Sequence, residues 1–174
     1  MKAGEIEAFE RLVERYEPKL VRFIYGLTHD HELAEDLCQE ALVSAYRALS
    51  NTPPDLKLSP WLYKIALNKV RSEKRHKQPF QAFALPTFGR DGEPGNEPLF
   101  DLPDPREDAG ETLGRREAIL QTLQKLPQDQ AAAIVMDVQG YGDDEIAAVL
   151  ECSVAAVRQK LFRGRKAFRN LYPN

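Results

Sequence analysis

A chain of 174 residues with 24 basic and 27 acidic side chains and 43% apolar residues has the composition of one or two small folded domains. It holds no apolar run able to span a bilayer, and its amino terminus, MKAGEIEAFE, is acidic and amphipathic rather than that of a signal peptide. Its two cysteines, Cys38 and Cys152, lack the spacing of a disulfide framework or a zinc site, so a cytoplasmic protein with reduced thiols and no membrane insertion is expected.

From Ile6 the apolar residues fall at Phe9, Val13, Tyr16, Leu20, Phe23 and Leu27, steps of three and four that draw one buried stripe along a helix. Pro18 interrupts it, which fits either two helices meeting near Tyr16 or Glu17 or one kinked helix. Asp30 is placed to cap a second helix running to about Leu49, with Leu33, Leu37, Cys38, Ala41, Leu42 and Ala45 inward. The turn-rich segment Ser50 to Leu58 ends it. Ser59 followed by Pro60 then signals a third helix reaching about His76, since serine caps and proline suits the first helical position.

From Gln78 to Thr112 the prolines Pro79, Pro86, Pro94, Pro98, Pro103 and Pro105 are interleaved with glycines and acids, which predicts a flexible tether between two domains. Four phenylalanines within it, Phe80, Phe83, Phe88 and Phe100, predict that it docks in part. Beyond it, Leu113 to Lys125 reads as a helix, Pro127 opens another that ends at Gly140, and Asp143 or Asp144 starts a third. With Ser153 as cap of the last, DDEIAAVL, ECS and VAAVRQKLFRGRKAFRNL form helix, turn, long helix. No segment alternates like a strand. The expected fold is all-α: two small helical domains, residues 1–77 and 113–174, joined by an acidic Pro-rich linker, residues 78–112.

The net charge of −3 conceals opposite local signs. Residues 1–76 carry 12 basic and 12 acidic side chains, residues 77–113 carry 3 and 8, and residues 114–174 carry 9 and 7. The negative excess lies in the linker, while Arg158, Lys160, Arg163, Arg165, Lys166 and Arg169 follow one another with no acid between them. In a helix-turn-helix the second helix enters the major groove, where arginine donates to guanine and glutamine pairs with adenine. With Val154, Val157, Leu161 and Phe168 inward, Arg158, Gln159, Phe162 and Arg163 are placed for base contact, and Arg165, Lys166 and Arg169 for phosphate.

On the third helix Lys64, Asn68, Arg71 and Arg75, at steps of four, three and four, share one face beside Trp61 and Tyr63. Cations that track phosphates, next to rings on which bases stack, suit single-stranded or opened DNA, although Trp61 and Tyr63 also read as core. On the second helix Glu32, Glu35, Asp36, Gln39 and Glu40 form an acidic ridge opposite the apolar face. His29 and His31 lack the geometry of a helical metal motif, and no nucleophile elbow, P-loop or glycine-rich cradle is present. No metal, cofactor or catalytic residue is expected.

AEDLCQEALVSAYRAL, WLYKIALNKVRSEKR, LPQDQAAAIVMDVQGYGDDEIAAVL and SVAAVRQKLFRGRKAF, in that order and across nearly the whole chain, resemble the extracytoplasmic-function (group IV) sigma factors of the sigma-70 family. The resemblance implies a first domain (region two) that binds core RNA polymerase and melts the minus-10 element, and a second (region four) that reads the minus-35 element. It implies that Asp36, Gln39 and Glu40 contact the clamp helices of the polymerase's largest subunit. It further implies that the loop Ser50 to Leu58 holds a flipped-out promoter base, with Asn68 and Arg75 on the DNA beside it, and that an anti-sigma factor is a partner. The chain departs from the family at Leu67, where arginine is common, at Ser72, where aspartate is, at Ala131, where arginine is, and at Glu151, which replaces a turn glycine. With few residues left after the last basic strip, control is expected to come from outside the chain. The alternative reading, a helix-turn-helix regulator with an N-terminal dimerisation domain, needs an exposed apolar seam where this sequence has an acidic ridge.

Overall fold

The computed structural model describes residues 3–77, 100–106 and 113–173, and among these it shows seven helices and no strand. No helix among the described residues is long and apolar enough to cross a membrane. Three helices form an amino-terminal group: α1 (Ala3–Thr28), α2 (His31–Leu49) and α3 (Leu58–Lys77). Four form a carboxy-terminal group: α4 (Leu113–Gln124), α5 (Gln128–Val138), α6 (Asp143–Leu150) and α7 (Val154–Leu171).

Of the two readings of Pro18, the single helix holds: α1 runs through the proline, whose ring lies on the exposed side. His29, at φ 54, closes α1 in the left-handed region, and Asp30 then caps α2 by accepting from the Leu33 amide at 3.0 Å. The start of α3 lies two residues before the expected one. The helix begins at Leu58, so Ser59 sits inside the first turn, its Oγ buried with no hydrogen-bond partner instead of capping. Pro60 remains in that first turn, where its missing amide hydrogen would have had no helical partner anyway.

Around α5 the chain wraps α1, α4, α6 and α7, which is why six consecutive α5 residues, Ala131 to Met136, are all buried. Against α7 the approach is so close that a side chain at Gly164 would force its neighbours to shift. A Cβ on Gly164 would lie 2.8 Å from Ile134 Cδ1 and 3.3 Å from Gln130 Cβ. The helix α7 itself is capped by Ser153, whose Oγ accepts from the Ala156 amide at 3.1 Å. Its expected inward residues Val157, Leu161 and Phe168 are buried, and Val154 is half-buried.

The buried side chains of the two groups form one contiguous cluster. Leu20, Phe23, Ile24 and Leu27 of α1 meet Leu37 and Cys38 of α2 and Leu62, Tyr63 and Leu67 of α3, and continue into Val135 and Met136 of α5. A glycine again marks a close approach: a Cβ on Gly26 of α1 would stand 3.1 Å from Val135 of α5. Of the linker, Phe100 to Arg106 is described. Phe100 is buried and stacks on Phe168 of α7, with ring centroids 4.9 Å apart, so one of the four linker phenylalanines docks. Phe80, Phe83 and Phe88 lie outside the described residues.

Candidate nucleic-acid interface

The helix-turn-helix is α6, the turn Glu151 to Ser153, and α7. Glu151 sits at φ 54, ψ 46, the left-handed conformation that glycine adopts without strain, and the Cys152 amide donates to the Ala147 carbonyl to close the turn. On the outer side of α7, Arg158, Gln159, Arg163, Lys166 and Arg169 are exposed and Phe162 is half-buried. Arg158 reaches back to Asp143 at 3.0 Å, yet its side chain keeps 68% of its surface open. Arg165 departs from expectation. It lies among the buried residues of α7 and its guanidinium is taken up by Asp137 of α5, so it braces two helices and is not placed to touch a phosphate. Two positions on from Arg163 the helix has turned by about 200°, which carries the side chain to the inner face.

The basic face of α3 is situated differently. Asn68 and Arg75 are exposed, but Lys64 and Arg71 are half-buried and engaged by the carboxy-terminal group. Arg71 donates to Asp129 at 2.9 Å, and the Lys64 ammonium lies 2.6 Å from Glu151. The hydrogen bond and charge of Lys64 hold the Glu151 carboxyl below the ordinary glutamate value. Tyr63 is fully buried. Its hydroxyl donates to Gln139 Oε1 at 2.9 Å and its ring meets Tyr141 edge-on at 4.8 Å. Burial, then the hydroxyl of Tyr141, push the Tyr63 phenol well above its ordinary value, so it stays a donor. Trp61 is half-buried against the core.

The ridge of α2 carries Asp36, Gln39 and Glu40, all exposed, beside Val43, which is 48% exposed. Glu40 meets Lys69 at 3.7 Å, a weak surface contact. In the loop before α3, Asn51, Pro53, Pro54 and Asp55 are exposed, while the Thr52 hydroxyl is tied to the Leu49 carbonyl at 2.6 Å. Of the histidines, His29 bonds Glu117 of α4 at 2.9 Å and His31 bonds Glu35 at 3.1 Å. No group of three metal-ligating side chains occurs among the described residues. The large exposed apolar residues Ile6, Val43, Leu113 and Leu171 stand on four different helices.

The residues that engage α3 were not visible in the sequence. Asp129, Gln139 and Glu151 sit in the other half of the chain, and no spacing links them to Lys64 or Arg71. Only the departure of Glu151 from a glycine turn marked one of them.

Two family models match in chain order: Sigma-70 region 2 over residues 12–80 and Sigma-70, region 4 over residues 116–168. The RNA polymerase sigma-H factor of Pseudomonas aeruginosa is 33% identical over 94% of this chain and 86% of its own length. The ECF RNA polymerase sigma-E factor of Escherichia coli is 30% identical over 96% of this chain and 87% of its own length. Among solved structures, CnrH in complex with the cytosolic domain of CnrY matches with a TM-score of 0.70 at 25% identity, over 95% of this chain and 87% of that one. The sigma factor RpoE of Bartonella quintana, solved with the anti-sigma factor NepR, shares the fold with a TM-score of 0.69 at 20% identity, over 95% of this chain and 96% of that one.

Proposed function

We infer what each face of the molecule does from one premise: the chain belongs to the sigma-70 family, as an extracytoplasmic-function RNA polymerase sigma factor that directs core polymerase to promoters. Residues 1–77 act as region two, residues 113–174 as region four, and residues 78–112 connect them. Asp36, Gln39 and Glu40 bind the clamp helices of the largest polymerase subunit. Trp61, Lys64, Asn68, Arg71 and Arg75 form the minus-10 face, and Arg158, Gln159, Phe162, Arg163 and Lys166 the minus-35 face. The chain contributes recruitment and melting, not catalysis, works in the cytoplasm, and is held by an anti-sigma factor when idle.

The observation that carries this reading is the outer face of α7. Four exposed polar side chains, Arg158, Gln159, Arg163 and Lys166, project from the second helix of a helix-turn-helix whose inner face is packed on α5. Arginine and glutamine there match the donor pattern that purine edges accept in the major groove. The test is transcription in vitro with purified core polymerase on a promoter library. The chain is expected to select promoters, and Asp36→Arg together with Glu40→Arg to lose competition for core while remaining folded. A folded double variant that competes as well as the parent would refute the polymerase contact.

A further inference from the structure

Of the four exposed polar side chains Arg158, Gln159, Arg163 and Lys166 on the outer face of α7, Arg158 alone has an ion-pair partner among the described residues. Its Nε donates to Oδ2 of Asp143, the first residue of α6, at 3.0 Å. As a contribution to stability the contact is small, since Arg158 keeps 68% of its side-chain surface open and Asp143 34%. Its consequence lies in where it holds the guanidinium.

Helix α6 opens on three acids in a row, Asp143, Asp144 and Glu145, and they are not equivalent. Glu145 serves its own helix, its Oε2 accepting from the Gly142 amide at 3.0 Å. Asp144 is exposed, and its charge already suits the amino-terminal end of the helix dipole. Asp143 instead reaches across to α7. At the edge of a face that receives a polyanion, a carboxylate lowers general affinity, because it opposes the phosphates that the arginines attract. What it adds must therefore be selectivity. The planar guanidinium carries its N–H donors in a fixed fork: Nε lies on a side edge, while the end edge, formed by the two terminal nitrogens, can span O6 and N7 of a guanine. An acceptor on Nε engages the side edge and leaves the end edge for the base. It also restrains a long side chain whose freedom would otherwise be lost on binding.

We propose that Asp143 is a positioning residue for base recognition: by accepting from Arg158 Nε it aims the terminal nitrogens of that guanidinium at one guanine of the upstream duplex. The inference rests on the reading of α7 as the minus-35 helix. Asp143 itself touches no base. It acts at the base pair that Arg158 reads and leaves alone those read by Gln159 and Arg163.

The experiment uses the full-length chain assembled with purified core polymerase, and a promoter library whose upstream duplex is randomised and sequenced after selection for binding. Base preference is then read position by position, a profile that a mere loss of folded protein would scale down without reshaping. Arg158→Ala should lose about ten- to hundredfold discrimination at one guanine. Asp143→Ala should lose about fivefold at the same base pair and nothing elsewhere, because the DNA must then fix the arginine unaided. Asp143→Asn, which keeps an oxygen able to accept from Nε, should fall between the parent and Asp143→Ala. Asp143→Ala combined with Arg158→Ala should discriminate no worse than Arg158→Ala alone, since one residue acts through the other. Asp144→Ala removes the same charge from the same turn and should leave every preference unchanged. A loss in Asp143→Ala that falls on a different base pair, adds to that of Arg158→Ala or is matched by Asp144→Ala overturns the inference and leaves the minus-35 reading intact. So does an Asp143→Ala profile identical to the parent's. An unchanged profile for Arg158→Ala would instead overturn the minus-35 reading and, with it, the role of Asp143.

Discussion

Both α3 and α7 are basic helices, one in each half of the chain, and in the folded molecule they meet opposite fates. The cations of α7 that lie opposite its apolar stripe look out to solvent, with Arg163 and Lys166 exposed and Arg158 only lightly held by Asp143. Those of α3 look partly into the protein, Lys64 and Arg71 facing Glu151 and Asp129. The difference does not lie in charge or periodicity, which are alike. It lies in what stands across from each helix: α7 has its neighbours, α5 and α6, on one side, whereas α3 lies between its own group and α6 of the other. A basic face is a binding face only where nothing of the same chain answers it first.

The largest effect should come from testing the comparison within α7. Arg165→Ala removes one partner of a buried ion pair and leaves Asp137, itself about a quarter exposed, without it. A loss of about 2–3 kcal/mol is expected in urea unfolding, against no more than about 0.5 kcal/mol for its exposed neighbour in Lys166→Ala. Equal losses would mean that Arg165 does not face inward.

Between the two helices the expected effects differ in kind. Arg158→Ala or Arg163→Ala should weaken binding to upstream duplex by roughly 1–3 kcal/mol, one to two decades in affinity, and the loss should vary with promoter sequence. Asn68→Ala or Arg75→Ala should leave that duplex binding intact and reduce strand opening by about fivefold, about 1 kcal/mol, read as permanganate reactivity of unpaired thymines. A premelted template should rescue the α3 variants and not the α7 variants. If it rescues both alike, the two basic faces share one task.

The smallest effect compares the cysteines, again one in each half. Burial first, then the nearby Glu17 carboxylate, push the Cys38 thiol up to about 12 from 9.0. A thiol reagent at mild alkaline pH should therefore modify the half-exposed Cys152 and spare Cys38 until the protein unfolds. Because the folded value is the higher one, the stability associated with Cys38 is complete below pH 9 and is lost as pH rises toward 12. Modification of both thiols at the same rate in the native protein would place Cys38 outside the core.

Local chemistry was legible in the sequence by itself. The helical stripes, the caps at Asp30 and Ser153 and the α6–turn–α7 unit all follow from interactions among residues a few positions apart, which spacing records directly. The family followed from four such motifs in order. Where a local signal was ambiguous, packing decided: Pro18 stays within one helix, and Ser59 lies inside α3 because the chain turned helical at Leu58. The tertiary structure alone decided which charges are available. Arg165 and Arg163 are alike in sequence, yet one is held by Asp137 and the other is open. Lys64 and Arg71 share a face with Asn68 and Arg75, yet they are met by side chains from the far end of the chain. Pairing over such distances leaves no periodic trace, since it depends on how two helical groups and a short stretch of linker come to lie against each other.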